Sequence, residues 1–158
     1  MSSDRALPEP TTANRNGIAE SVAVFHATFG LPRNDEPTAD VSAELAALRV
    51  RLLAEEVDEF AAATEEVDLV GIADALADIV YVAYGSAITY GIDLDAVLAE
   101  VHRSNMTKLD SDGRVLLRED GKVAKSQNYT PPNIADVLRR QVRSMARQST
   151  STPPYGRG

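Results

Sequence analysis

The chain has 158 residues, 44% of them hydrophobic, which suits one domain with its own core. It has no cysteine, which excludes disulfides, thiolate catalysis and cysteine-ligated metals. The net charge of -8 is segregated: Leu52 to His102 hold 12 acids and no Lys or Arg, while Arg103 to Gly158 hold 11 bases against 5 acids.

Residues 1–16 are rich in Pro, Ser, Thr and Asn and read as a disordered tail. They carry no apolar core of a secretory signal, so a cytoplasmic location is expected. Ile18, Val22, Phe25 and Phe29 have helical spacing, and Gly30 closes that first helix. His26 sits beside its stripe and reads as a packed histidine rather than a catalyst. A second helix begins near Asp40 or Ser42. It carries two apolar stripes, Val41-Leu45-Leu48-Leu52 and Val50-Leu53-Val57-Phe60, which predict cover on two sides.

The third helix, about Val67 to Tyr90, is apolar nearly all round and is expected to be the most buried. Its aspartates argue against a membrane span. Gly91 ends it, and Asp93 caps a fourth helix with Leu94, Val97, Leu98 and Val101 inward. Asp120-Gly121 then predicts a short β-hairpin within about residues 110–125, packed on a neighbour or a second subunit. A basic helix, Ile134 to Met145, follows Pro131-Pro132. Residues 147–158 read as a second disordered tail. The fold class expected is all-α: a bundle of four to five helices with a short hairpin, spanning residues 17–146. The third helix is too apolar for a small monomer to cover, so a homodimer or homotetramer is expected.

Residues 52–60, LLAEEVDEF, interrupt this pattern. Glu55, Glu56 and Glu59 continue the line of Leu45, Leu48 and Leu52, and spacings of three and four bring them together on one face. Asp58 points elsewhere. On the third helix Asp74 and Asp78 are four apart, also on one face. Buried charges without partners are costly, and like charges raise one another's pKa. Three arrangements relieve the cost. The face is exposed, the acids pair with Arg49, Arg51 or Arg103, or divalent cations sit between the helices. Hard oxygen ligands suit Mg²⁺ or Mn²⁺. The fourth helix turns polar at Asn105 and Lys108, which suits a nucleotide contact or simply a helix end entering water. Ferritin-like Glu-x-x-His pairs, an EF-hand loop, a P-loop and GxGxxG are all missing. The charge segregation is not the basic stripe of a nucleic-acid binder, but acids followed by bases can hold a polyanion through metal and phosphate contacts.

Glu55-Glu56-x-x-Glu59 followed by Asp78 resembles the EExxE…ExxD signature of the MazG-like all-α nucleoside triphosphate pyrophosphohydrolases. The blocks VFHATFGLP, LRVRLLAEEVDEF, DALADIVYVAYGSAITYGIDLD, EVHRSNMTKLDSDG and REDGKVAKSQNYTPP extend the likeness over about Val22 to Leu138. They resemble a subgroup related to phosphoribosyl-ATP pyrophosphatase and the dimeric dUTPases. EExxE alone is a weak motif; the ordered set of blocks is specific.

The resemblance implies hydrolysis of an NTP or dNTP to the monophosphate and pyrophosphate. Mg²⁺, or Mn²⁺ in its place, would be held by Glu55, Glu56, Glu59 and Asp78, with Glu55 or Glu56 orienting or deprotonating water. Asn105 and Lys108 match a nucleotide-contacting element, and Lys122, Lys125 and Tyr129 lie in a block that would reach phosphates. The signature places Glu at position 75, where this chain has Ala75. Asp74, about 100° around the helix, is the candidate replacement. Two other readings are a non-catalytic nucleotide-binding bundle and a phosphoribosyl-ATP pyrophosphatase. Neither membrane nor nucleic acid is an expected partner.

Overall fold

The computed structural model describes residues 17–150. The expected N-terminal tail, and the C-terminal one from residue 151, lie outside them. The described chain is all-α: α1 (Gly17–Thr28), α2 (Ala43–Glu65), α3 (Leu69–Thr89), α4 (Leu94–Met106) and α5 (Ile134–Thr150). Thus α5 continues past Met145, through residues expected to be tail. Two compact units divide these residues, 17–33 with 41–86 and 34–40 with 87–150.

In the first unit, Ser42 caps α2 by accepting a hydrogen bond from the Leu45 N–H at 3.2 Å. α2 and α3 form an antiparallel pair with a readable register. A Cβ on Gly71 would lie 3.1 Å from the Ala63 Cβ, and one on Gly85 would lie 3.3 Å from the Arg49 guanidinium. From Ala63 back to Arg49 is two steps of seven residues; from Gly71 on to Gly85 is the same in the opposite direction. Each step is two turns, about 10.5 Å. Gly71 against Ala63 brings the helices together at the turn, and at the other end Gly85 leaves room for the Arg49 guanidinium.

The turn joining them puts Val67 at φ 56. A β-branched residue in this region is strained by about 1–2 kcal/mol. Val67 is 85% exposed, so its packing does little to repay that strain. Val67→Gly is therefore expected to raise the melting temperature by about 2–4 °C, a shift calorimetry resolves.

Burial along α3 departs from expectation. Tyr84 and Ala87 in its C-terminal half are buried, but Leu69 and Val70 are 77% and 79% exposed, and Leu76 and Val80 are also exposed. By length and composition alone α3 is apolar enough to cross a membrane. In a single chain the helix expected to be most buried thus shows much of its apolar surface.

In the second unit, the segment before α2 satisfies the last carbonyls of α3. Asn34 donates its N–H to Ile88 O and its amide to Thr89 O, and Thr38 N–H donates to Tyr90 O. Gly91 ends the helix at φ 65. Gln141 of α5 clamps the turn that follows, donating to Gly91 O at 2.8 Å and accepting from Asp93 N at 3.0 Å. Asp93 caps α4 through Ala96 N–H, as expected.

The hairpin reduces to a single antiparallel bridge between Leu117 and Val123. The turn itself is present, with Gly121 at φ 78 donating to Arg118 O at 3.0 Å. Too few ladder bonds follow it to make strands.

Glu100 organises the α4–α5 junction. Arg103 donates to both its oxygens at 2.8 Å, and Asn133 N–H donates at 2.7 Å. The Arg103 guanidinium, then the Asn133 amide, hold the Glu100 carboxyl down at about 2. Its folded pKa lies below the unfolded one. The contribution is therefore complete above about pH 4.5 and is lost as pH falls from there towards 2. In acid-unfolding scans Glu100→Gln should flatten the pH dependence across this window.

Candidate active site

Midway between these two ends of the α2–α3 pair come Glu56 and Asp78, seven residues from Arg49 and from Gly85 respectively. Glu59 is one turn further along α2, and Ala75 one turn earlier on α3. Burial and the charges of Glu59, Asp78, Glu55 and Asp74, in that order, raise the Glu56 carboxyl above the usual carboxylate range. Four of the acids singled out in the sequence, from two neighbouring helices, thus act by charge on the fifth, Glu56. Asp58 is outside that set.

Their burial is less than the stripe suggested. Glu56 is half-buried, while Glu55, Glu59, Asp74 and Asp78 are exposed. The α2–α3 pair leaves this face open along much of its length, so most of the acids are hydrated. One local cation contributes: Arg51 lies 3.7 Å from Glu55. Arg103 pairs with Glu100 instead.

Ala75, standing where the family signature has Glu, is only 3% exposed. It packs in the seam as a small core residue. Asp74, one residue earlier, is exposed and is the weakest of the charges acting on Glu56. Among the described residues no three of His, Cys, Asp or Glu converge closely enough to hold a metal ion. The donor set nonetheless fits a hard divalent cation: several carboxylates, mutually repelling, with few cations nearby. The exposed glutamates have the rotamer freedom to converge.

The other residues expected at the site belong to the second unit. Asn105 is exposed in the last turn of α4, and its carbonyl accepts from the Lys108 N–H at 3.1 Å. Lys125 Nζ stands 4.5 Å from the centre of the Tyr129 ring, a cation–π contact. Lys122 is exposed, 4.0 Å from Asp120. Thr107 and Ser104 anchor the chain around them. Ser104 donates to Thr130 O at 2.8 Å, and Thr107 Oγ1 accepts from Thr130 N at 2.9 Å.

Arg49, weighed in the sequence only as a partner for the acids, is 7% exposed, beside His26 at 2%. The Arg49 Nε and His26 Nδ1 atoms are buried without a hydrogen-bond partner. The seven-residue step from Arg49 to Glu56 was the available signal.

An all-α chain with an EExxE helix beside an Asp-bearing helix has the character of the MazG-like all-α superfamily. Residues 22–105 match the phosphoribosyl-ATP pyrophosphohydrolase family, and the chain belongs to that family. The match covers all five acids and Asn105, and stops before Lys108, the hairpin and α5. The chain is also 34% identical over 97 residues to an uncharacterised protein of Acanthamoeba polyphaga mimivirus. That alignment covers 60% of this chain and 36% of the viral protein, so the chain spans about a third of that relative's length.

Proposed function

We propose that the protein hydrolyses a nucleoside triphosphate, NTP or dNTP, to the monophosphate and pyrophosphate in a Mg²⁺-dependent reaction. The observation that carries this reading is Glu56, raised in pKa by burial and by four surrounding carboxylates. Such a group is both a stronger base than an ordinary carboxylate and a site short of positive charge. Glu55, Glu59 and Asp78 would hold Mg²⁺ or Mn²⁺ together with Glu56, and Asp74 would act from the flank. The cation supplies neutralisation of phosphate charge and activation of water. Glu56, or Glu55 beside it, orients the attacking water and accepts its proton. The water oxygen bonds to phosphorus as the anhydride bond between the α- and β-phosphates breaks. Asn105, Lys108, Lys122, Lys125 and Tyr129 supply donors and positive charge for the nucleotide.

A second reading, phosphoribosyl-ATP as substrate, is favoured by the name of the matching family. It involves the same bond type and the same carboxylates. A panel of canonical and damaged NTPs and dNTPs, with phosphoribosyl-ATP added, read by pyrophosphate release with Mg²⁺ or Mn²⁺, separates the two. Turnover of phosphoribosyl-ATP alone would replace the first reading.

We also infer that a second copy covers the exposed apolar surface of the first unit. Leu69, Val70, Leu76 and Val80 on α3 and Val57 on α2 form too much apolar surface for a solvated monomer. A lipid surface is a poorer cover, because Asp74 and Asp78 lie on the same helix. Light scattering at micromolar protein is expected to give a dimer or tetramer; a monomer would overturn this inference.

A further inference from the structure

The first unit contains a second unusual layer, two turns along the seam from Glu56 and Asp78. His26 of α1 and Arg49 of α2 are both more than nine-tenths buried. They press against the backbone of α3 at Gly85, where a Cβ would stand 2.9 Å from His26 Nε2 and 3.3 Å from the Arg49 guanidinium. His26 is bonded to the Pro32 carbonyl. Its Nδ1 has no partner, so the donor is Nε2–H and the imidazole is the neutral tautomer with a bare Nδ1 lone pair. The Phe25 ring packs edge-on against it at 6.4 Å.

Every charge acting on this imidazole is positive: Arg49 from α2 and Arg33 from the loop after α1, while α3 presents the uncharged Gly85. Burial first, then Arg49, lowers the His26 pKa below the usual value for imidazole; the Pro32 bond opposes this, and Arg33 adds slightly to it. A proton on Nδ1 would place two cations side by side inside the protein, and among the described residues no carboxylate acts on either. The layer tolerates one cation, and that one is Arg49.

We propose that His26 is a positioning residue whose neutral form locks α1, α2 and α3 together at Gly85, and so fixes the register that sets Glu56 beside Asp78. Protonation forces the layer apart and loosens the carboxylate layer two turns away. This rests on the reading of those carboxylates as the active site. The sign follows from linkage: the folded pKa is depressed, so the unfolded chain binds the proton more readily. The stability is complete above about pH 6.5 and is lost as pH falls from there towards the folded pKa. Over that window the unfolding equilibrium constant rises by up to about tenfold per pH unit.

Three measurements on the full chain test this. An NMR titration of the wild type should give His26 a midpoint below that of free imidazole. A midpoint at or above it overturns the proposal, whatever the variants do. Without substrate, the wild-type melting temperature should fall between pH 7 and 5.5. It should fall less in His26→Gln, and Arg49→Met should move the His26 midpoint upward; equal slopes in wild type and His26→Gln overturn the proposal. The acidic limb of the pH profile of pyrophosphate release should move to lower pH in His26→Gln, through kcat more than KM. A merely structural histidine would lower activity equally at every pH, and that result also overturns the proposal. A wild type that titrates as described but releases no pyrophosphate would sink the proposed function and leave the lock standing.

Discussion

Glu56→Ala and Asp78→Ala are each expected to reduce pyrophosphate release by about 10²–10⁴-fold, the usual contribution of a positioned acid–base group. Both proteins should remain folded. Glu56 is half-buried among four like charges and Asp78 is exposed, so neither anchors the core. The melting temperature of Glu56→Gln should rise in metal-free buffer, because the substitution removes the carboxylate that its neighbours repel most. Adding Mg²⁺ should stabilise the wild type and leave Glu56→Gln nearly unchanged. Activity and stability thus move in opposite directions, the pattern expected of a site held together against its own charge. Asp58→Ala is the control. Asp58 is absent from the charges acting on Glu56, and its loss should change turnover little.

Gly91→Ala should produce the largest loss of stability. Gly91 is at φ 65, a region costing an L-residue about 1–2 kcal/mol. A Cβ there would also overlap the Glu36 carbonyl, a backbone atom with no rotamer to escape through. Overpacking adds about 1–3 kcal/mol. The total, about 2–5 kcal/mol, lowers the melting temperature by roughly 10 °C on the scale for this chain length. The close approach exists because Asn34 and Thr38 donate to the last carbonyls of α3, drawing the 34–40 segment across the helix end. Gly121→Ala, at φ 78 but with open space around it, should cost only the strain.

The contrast between these two glycines marks what a sequence can convey. Gly91 and Gly121 look alike as helix stop and hairpin turn, and both roles are legible from position. That a carbonyl from residue 36 lies against one of them is a long-range fact with no local signature. Helix identities follow the same division. Periodicity located all five helices of the described residues, and Asp93 was readable as a cap because capping chemistry is local, while the start of α2 was left between Asp40 and Ser42. The length of α5 was misread because Arg147, Gln148 and their neighbours are polar, and amphipathic periodicity fades at a helix end before the helix does.

At the carboxylates, spacing put Glu55, Glu56 and Glu59 on one face of α2 and Asp74 and Asp78 on one face of α3, and in the structure four of them act by charge on Glu56. It overstated their burial, since a stripe shows which residues share a face but not whether a neighbour covers it. Ala75 was visible as a departure from the family pattern. Its place as a buried seam residue required the α2–α3 register. Arg49 was considered only as a partner for the acids, because a lone arginine on a charged helix carries no sign of being buried. His26 was read as packed, and it is, but the cation beside it could not be seen.

The most direct test of the central claim is pyrophosphate release from a panel of NTPs and dNTPs with Mg²⁺, by the wild type and by Glu56→Gln side by side. Release by the wild type, reduced at least about a hundredfold in Glu56→Gln while binding of a non-hydrolysable triphosphate persists, is the expected result. Equal release by both proteins, or binding with no release by either, would contradict it.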